Sequence, residues 1–171
     1  MITTKFGDKG NTTIKGKIIE KDSQLIQTIG SIDEAQAWII TLNSINNKSL
    51  YLTIIKDLYL IMGYISGYNT ELDNISENII KMENYIYSTQ PLAEFVYPQE
   101  LETSYLNLAR TVVRRAEREL LKLIKTEQNY LENDNMFLAY QYLNRLSDYL
   151  FALSISYEKT NLSEKVIIKK I

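Results

Sequence analysis

The sequence has neither cysteine nor histidine among its 171 residues. Without cysteine there is no disulfide, no thiolate metal site and no cysteine nucleophile. Without histidine the chain lacks the commonest general base, the usual ligand of catalytic zinc and the Glu-x-x-His motif of carboxylate-bridged di-iron bundles. If the chain is an enzyme, its reaction must therefore need little proton transfer by side chains.

The overall charge and the hydropathy pattern limit the partners. The formal net charge is −2, whereas general nucleic-acid binders are normally basic, so we expect no nucleic-acid partner. No apolar run approaches the ~20 residues of a membrane-spanning helix. No secretory signal is visible, because Met1–Lys5 leads straight into a glycine-containing charged stretch. We therefore expect a cytoplasmic protein without a membrane partner, in which any basic site is local.

The sequence predicts an all-α fold with a single domain over residues 1–171. With 45% hydrophobic and 23% charged residues, the chain has a globular balance and is long enough to bury one core. Apolar residues at spacings of three and four predict a bundle of five helices, with these bounds: 31–46, 49–67, 71–89, 101–127 and 135–158. The predicted parts are an N-terminal arm over 1–30, the helix bundle over 31–158 and a short tail over 159–171.

The N-terminal arm contains a candidate anion-binding loop. Residues Thr4–Thr13 include two glycines, two lysines and several hydroxyl groups. Glycines permit positive φ and let backbone N–H groups converge on an anion. The Walker A pattern is absent, and a plain surface loop is the alternative interpretation. The arm is predicted to end at the capping box Ser31-Ile-Asp-Glu34, which begins the first helix and places Asp33 in its first turn, where a carboxylate complements the helix dipole.

The fourth predicted helix carries a row of arginines. Its apolar seam is regular and consists of Leu106, Ala109, Val113, Ala116, Leu120 and Leu123. Arg110, Arg114 and Arg118 recur every four residues on a neighbouring face, with Glu117 beside them. Like charges at this spacing repel by ~0.2–0.5 kcal/mol per pair. An anion in front of the row would explain it, and a solvated edge of the bundle is the alternative.

The connection over residues 91–100 is bounded by the only two prolines of the chain, Pro91 and Pro98. It contains the apolar group Phe95-Val-Tyr97, which is large for a connection. These side chains either pack into the core or present a surface to a ligand.

Five stretches of the sequence form a specific combination. They follow one another along nearly the whole chain: Thr4–Thr13, Lys21-Asp22, Gly30–Glu34, Ala109–Arg118 and Tyr142–Phe151. In residue types and order they resemble the PduO-type ATP:corrinoid adenosyltransferases. The family loop T-[RK]-x-G-D-x-G-x-[TS]-[TS], the helix A-R-T-V-x-R-R-A-E-R and the last motif Y-L-N-R-L-S-D-Y-L-F are each matched throughout. A glycine loop alone would be weak, but two ten-residue helical signatures make the resemblance highly specific.

The resemblance implies an enzyme that transfers the 5′-deoxyadenosyl group of ATP to a reduced corrinoid, cob(I)alamin, and releases triphosphate. It also implies Mg²⁺, a homotrimer of five-helix bundles with active sites between neighbouring subunits, and a reductase and an adenosylcobalamin-dependent enzyme as partners. Cobalt in the +1 state is itself the nucleophile, and the attacked carbon loses no proton. A protein without histidine or cysteine can therefore catalyse this reaction by positioning and electrostatics.

The matching positions imply roles for individual residues. Arg114 would contact the triphosphate, and Phe95 would displace the lower axial ligand of cobalt. Asp33 and Arg110 would form a salt bridge across the subunit interface and border the corrinoid. The residues implied in nucleotide binding are Thr4, Lys5, Phe6, Gly7, Thr12, Thr13, Lys21, Arg114, Arg115, Glu117, Arg118 and Asn144. Asn144 would also lie near the magnesium.

The sequence departs from the family pattern at a few positions. The family's proline-glycine-glycine after the loop phenylalanine is here Pro98-Gln-Glu100 and is one residue shorter, which bears on the loop that closes over the corrinoid. A frequent family histidine corresponds to Asn107, and a frequent arginine to Leu25. Two other functions stay open: a non-catalytic carrier or regulatory bundle for corrinoid or nucleotide, and a purely structural bundle.

Overall fold

The computed structural model describes residues 5–90, 95–96, 98–160 and 167–168. Most of these residues belong to five α-helices, with these bounds: α1 Gln24–Asn46, α2 Ser49–Ile65, α3 Ile75–Ser88, α4 Leu101–Thr126 and α5 Asp134–Thr160. The predicted all-α five-helix bundle is therefore confirmed. Thr4, Pro91 and Tyr97, which entered the sequence predictions, lie outside the described residues. None of the helices in the described ranges is both long and apolar enough to cross a bilayer.

The core is organised around α4, which packs against α1 and α5, while α2 packs against α1 and α3 against α5. The apolar seam predicted for α4 is buried at all six positions, Leu106 to Leu123. The buried residues predicted for α1 and α5 are Ile32, Ala35, Ile39, Leu42, Leu143, Leu146, Leu150 and Leu153. Burying a Leu, Ile or Val side chain contributes about 1.5–3 kcal/mol. These seams therefore fix the position of α4 and of the arginines on its outer surface.

The first helix begins earlier than predicted. It starts at Gln24, after an extended Ser23 with φ −62° and ψ 151°. Ser31 consequently lies inside the helix, and the predicted capping box is wrong. Asp33 stands beyond the first turn, where the helix dipole no longer acts on a side chain, so its predicted dipole role is also wrong. The N-terminal arm ends at the start of α1, well before residue 30.

Contacts with α4 explain the longer helix. Gln24 Nε2 donates to the carbonyl oxygen of Glu119 at 3.0 Å and to its Oε2 at 2.8 Å. The fully buried Thr28 Oγ1 lies 3.1 Å from the same carbonyl oxygen and 2.8 Å from that of Gln24. Gly30 costs about 1 kcal/mol relative to alanine inside a helix. These bonds offset that cost, and they involve residues too distant in sequence for a local pattern to reveal.

A β-hairpin that the sequence patterns did not predict precedes α1. Its strands are β1 Asn11–Ile14 and β2 Lys17–Glu20, paired antiparallel. Lys15 at φ 50° and Gly16 at φ 77° form the two-residue turn between them, as in a type I′ hairpin turn. Lys15 Nζ donates to the carbonyl oxygen of Gly67, so the hairpin tip lies beside the end of α2.

The other element bounds agree with the sequence predictions except at α3. This helix begins at Ile75 rather than residue 71, because Leu72 is buried ahead of it and accepts a turn hydrogen bond from Ile75 N at 2.9 Å. The polar connection before α5 contains a 3₁₀ turn, Gln128–Tyr130. The proline-bounded connection contains β3, Phe95–Val96, which pairs antiparallel with β4, Ile167–Ile168, in the tail.

Candidate functional site

The predicted arginine row lies on the outer surface of α4. Arg114 and Arg118 are exposed, and Arg110 is half-buried. Arg118 Nη1 donates to the carbonyl oxygen of Arg114 at 3.0 Å. Within the described residues, neither Arg114 nor Arg118 forms a salt bridge. Both guanidinium groups are therefore exposed and have no carboxylate partner among the described residues, which is the arrangement expected of an anion-binding surface.

The flank of α4 that faces α5 brings Glu117 and Asn144 together. Asn144 Nδ2 donates to Glu117 Oε1 at 2.9 Å. Tyr140 lies beside this pair, and burial together with the Glu117 charge raises the pKa of its phenol. Carboxylate and amide oxygens are ligands that Mg²⁺ prefers. The pair therefore supplies suitable donor oxygens next to the arginine row, which fits the predicted role of Asn144.

Arg110 belongs to the same flank and is held by two groups. Its Nε and Nη2 donate to Asn107 Oδ1 at 3.0 and 2.8 Å. Its Cζ lies 5.7 Å from the centre of the Phe151 ring. Burial, and after it the charge of Arg114, lower the pKa of Arg110. Asn107, which in the sequence is only a departure from the family pattern, orients this guanidinium, and its i,i+3 spacing from Arg110 is the signal for that role.

The flank that faces α1 contains a cleft of about 450 Å³. Its lining residues come from the end of β2, from α1 and from α4: Lys21, Ile26, Gln27, Gly30, Ser31, Glu34, Arg115 and Glu119. Arg115 forms an ion pair with Glu34 on α1. The cleft thus presents the cations of Lys21 and Arg115 beside two carboxylates. Glu34 and Glu119 were not among the predicted site residues, because their partners on the facing helix are invisible in the sequence.

The N-terminal loop is fastened to this cleft through Lys21. Lys21 Nζ donates to the carbonyl oxygen of Gly7 at 2.8 Å, and Lys21 N donates to that of Gly10 at 2.8 Å. A Cβ atom at Gly7 would lie only 2.5 Å from Lys21 Nζ, so a larger residue does not fit without displacing the lysine. The structure therefore brings together Gly7 and Lys21, two of the residues implied in nucleotide binding. Thr12 and Thr13 follow on β1, where Thr12 is half-buried and Thr13 exposed.

The predicted site residues are divided between two half-sites of the chain. We call the cleft with Lys21, Arg115 and the N-terminal loop the α1 half-site, and the group Arg110, Glu117 and Asn144 the α5 half-site. The body of α4 separates the two. The predicted pair Asp33 and Arg110 is not formed within the chain, because Asp33 is exposed on α1 and has no ion-pair partner among the described residues.

Some predictions fall on parts that the structure does not describe. Of Phe6 and Phe95 only the backbone belongs to the described residues. Thr4 lies outside them. Within the described ranges, no group of three or more carboxylate, histidine or cysteine side chains is arranged to hold a metal ion.

Comparison with known proteins identifies the family. The family model described as cobalamin adenosyltransferase matches residues 2–157. A corrinoid adenosyltransferase of Bacillus subtilis (strain 168) is 31% identical over 164 residues, which cover 87% of this chain and 82% of that protein.

Solved structures with the same fold come from Lactobacillus reuteri. An arginine-to-lysine variant of its PduO-type ATP:co(I)rrinoid adenosyltransferase, complexed with ATP, matches with a TM-score of 0.81 and 25% identity over 98% of this chain and 100% of that chain. A phenylalanine-to-histidine variant, complexed with cobalamin and ATP, matches with a TM-score of 0.81 and 25% identity over 99% and 97%. The resemblance found in the sequence is confirmed: the chain belongs to the cobalamin adenosyltransferase family.

Proposed function

We propose that this chain transfers the 5′-deoxyadenosyl group of ATP to the cobalt of a reduced corrinoid and releases triphosphate. The observation that carries the proposal is the pair of exposed guanidinium groups, Arg114 and Arg118, which have no carboxylate partner in the described residues and stand between two half-sites. Family membership and the ATP and cobalamin complexes of the Lactobacillus reuteri variants support the choice of substrates.

The reaction suits a chain without histidine or cysteine. Cobalt in the +1 state donates an electron pair to C5′ of the ribose, the C5′–O bond breaks, and that bond's electron pair leaves with the triphosphate. No proton is removed from carbon, so no general base is needed. The protein has to align the two substrates and stabilise the charge that develops on the leaving group.

The residues divide this work by their chemistry. The planar forks of Arg114 and Arg118 suit phosphate oxygens, which they can contact with two hydrogen bonds each. Lys21 and Arg115 contribute further positive charge, and the N–H groups of the loop around Gly7 can converge on another oxygen. Lys5, Phe6, Thr12 and Thr13 belong to the same loop and strand in this proposal, and Thr4 precedes them.

Magnesium belongs to the proposal as a bridge between the protein and the phosphates. Mg²⁺ usually keeps several waters and is held by one or two protein oxygens together with substrate phosphates. Glu117 and Asn144 are the residues that would hold it, since their side chains already meet at 2.9 Å beside the arginine row. Bound there, the ion would supply additional positive charge to the triphosphate.

A homotrimer would unite the half-sites that α4 separates. If subunits associate in a ring, the α1 half-site of one copy faces the α5 half-site of the next. The exposed Asp33 would then reach Arg110 of a neighbour, whose guanidinium is already oriented by Asn107. In such an assembly each nucleotide contacts two subunits, and the corrinoid lies beside the Asp33–Arg110 pair.

Charge exchange tests the trimer proposal. Asp33→Arg alone and Arg110→Asp alone place like charges opposite each other and should weaken assembly. The double variant restores an opposite pair and should recover it, as measured by sedimentation velocity. Equal assembly of all three variants and the unchanged chain would exclude this pair from the interface.

Phe95, whose backbone is fixed in β3, would complete the binding site for the corrinoid. An apolar side chain below the cobalt excludes the lower axial ligand, which eases reduction to the reactive state. The reduced corrinoid must come from a reductase, and the product passes to an adenosylcobalamin-dependent enzyme. These partners and a cytoplasmic location are part of the same proposal.

Absorbance spectroscopy tests the proposed reaction directly. The chain is mixed anaerobically with ATP and chemically reduced cobalamin, and the spectrum of the Co–C bond is followed together with triphosphate release. Equal amounts of both products support the proposal. Binding of both substrates without conversion would instead support a carrier, and the absence of any nucleotide-induced thermal shift would support a structural bundle.

A further inference from the structure

We infer that Glu158, in the last turn of α5, is a positioning residue that holds the segment following Phe95 in place for the corrinoid step. This inference rests on the proposed function and adds a residue that neither the sequence motifs nor the two half-sites include. Glu158 is only 7% exposed, whereas glutamate is almost never so deeply buried without partners.

The hydrogen-bond partners of Glu158 within the described ranges belong to the entry into α4. Thr103 Oγ1 lies 2.6 Å from its Oε2. Gln99 N donates to its two carboxylate oxygens at 3.3 and 3.4 Å. The side chain therefore joins the end of α5 to the backbone that leaves the Phe95 connection and to the first turn of α4.

Glu158 contacts the start of α4 where a local side-chain cap is missing. Glu100 precedes α4 and makes no side-chain capping hydrogen bond, although the first N–H groups of a helix lack partners within it. The carboxylate of Glu158 lies at the positive end of the α4 dipole, where negative charge is stabilising. A side chain from α5 thus adds to the local bonds that hold the start of α4, such as that between Thr103 Oγ1 and the Glu100 carbonyl oxygen.

A second contact from the C-terminal part of the chain holds the connection between Phe95 and α4. β3, Phe95–Val96, pairs with β4, Ile167–Ile168, which follows α5. Gln99 comes four residues after Phe95 and is held by Glu158. The C-terminal region therefore holds the connection both at Phe95 and just before α4, and the position of the Phe95 backbone depends on both contacts.

The departure at Pro98-Gln-Glu100 fits this interpretation. Where the family has two glycines, Glu100 adopts an extended conformation with φ −82° and ψ 152°, which any residue tolerates. Gln99 is not among the residues with positive φ. The conformational freedom of glycine is therefore absent here. We infer that hydrogen bonding to Glu158 sets the path of this segment and that the corrinoid meets a pre-positioned loop.

Two substitutions at Glu158 test the role. Glu158→Ala removes the acceptor for Gln99 N and should raise the KM for the corrinoid about tenfold, the size expected for the loss of one hydrogen bond. The dissociation constant for ATP should stay within about twofold of that of the unchanged chain, because the proposed ATP contacts lie at the N-terminal loop and the arginine row. Glu158→Gln should restore most of the loss. Its amide oxygen can still accept from Gln99 N, and its amide nitrogen can donate to Thr103 Oγ1, whose own hydrogen then points to the Glu100 carbonyl oxygen 3.0 Å away.

Matched variants separate positioning from simple stability. Asn78→Ala removes a similarly buried polar side chain, which donates to Asp57 Oδ2 at 2.8 Å on α2, and should lower the melting temperature without changing the corrinoid KM. Thr103→Val removes the other partner of Glu158 and should raise that KM in the same direction. This variant also provides the test if Glu158→Ala does not fold.

A spectroscopic measurement gives an independent result. With ATP and cob(II)alamin bound, the unchanged chain should show the four-coordinate cobalt signal expected if Phe95 excludes the axial ligand, and Glu158→Ala should reduce that fraction while Glu158→Gln retains it. If Glu158→Ala and Thr103→Val behave like Asn78→Ala in KM and spectrum, Glu158 is only structural and the inference is wrong. Failure of the proposed function appears separately, as the absence of adenosyl transfer by the unchanged chain, and it removes the inference with it.

Discussion

Replacing Arg114 with alanine should abolish most adenosyl transfer while leaving the fold intact. The side chain is exposed and forms no salt bridge within the described residues. Only its backbone carbonyl, which alanine keeps, accepts a hydrogen bond from Arg118. Surface changes of this kind usually alter the free energy of unfolding by less than about 0.5 kcal/mol.

The structure even predicts a small gain in stability. Arg114 lies between Arg110 and Arg118 at spacings of four, and each like-charge pair costs ~0.2–0.5 kcal/mol. Its charge also contributes to lowering the pKa of Arg110. Arg114→Ala relieves this repulsion, so the free energy of unfolding should stay the same or rise by up to about 1 kcal/mol. Urea or thermal unfolding measures this change.

The effect on activity should be far larger. Removal of a pre-organised donor that stabilises developing charge typically lowers kcat by about 10²–10³, or about 2.7–4 kcal/mol. Arg114→Lys keeps the charge but loses the planar fork, so its kcat should fall between those of alanine and arginine. The assay is the rate at which the Co–C bond spectrum appears with ATP and reduced cobalamin at saturating concentrations.

A control on the same helix separates a specific role from a general loss of charge. Lys122 is exposed on α4 eight residues beyond Arg114, or about 12 Å along the helix axis, so Lys122→Ala removes one positive charge at a distance from Arg114 and should lower kcat far less. A kcat for Arg114→Ala within about threefold of the unchanged chain would refute the assignment, since it leaves less than about 1 kcal/mol for the guanidinium. An equal loss in both variants would also refute it.

Three other perturbations probe the loop, the metal pair and the core. Lys21→Met removes the hydrogen bond to the Gly7 carbonyl and should raise the dissociation constant for ATP, measured by calorimetry, about tenfold. An unchanged affinity would show that this loop does not bind the nucleotide. Asn144→Ala should raise the Mg²⁺ concentration needed for half-maximal activity about tenfold or more, because metal sites usually lose that much with one polar partner; an unaltered Mg²⁺ titration would exclude it from the site. Burial raises the pKa of Asp57 above its ordinary value of 3.8, more than the neighbouring Tyr142 and Asn78 lower it. The folded chain therefore holds this proton more tightly than the unfolded chain, and stability falls as pH rises through the interval between the two pKa values. At pH values above that interval, Asp57→Asn should have a larger free energy of unfolding than the unchanged chain, and below the interval the two should be equal. Urea unfolding at a pH on each side of the interval measures both values. A difference in the free energy of unfolding between the two chains that does not change with pH would contradict this explanation.

Local patterns in the sequence determined the helices and the outward row of arginines. The six apolar seam positions of α4 are buried as predicted because an α-helix repeats every 3.6 residues, so apolar spacing alone specifies which face enters the core. The same geometry places Arg114 and Arg118 on the outside. The family could also be identified from the sequence, because its motifs are contiguous runs of residue types that need no structure to be compared.

The tertiary structure alone decided where α1 begins and how the site is divided. Gln24 and Thr28 extend the helix by bonding to Glu119 on α4, a contact that no window around Ser31 contains. Lys21 and Asn144 belong to one predicted site, yet α4 separates them in the chain. Glu158 became visible only through its contacts with Gln99 and Thr103. Periodicity reports which face of an element is apolar, whereas capping from a distant helix and the sharing of a site between faces depend on which elements pack together.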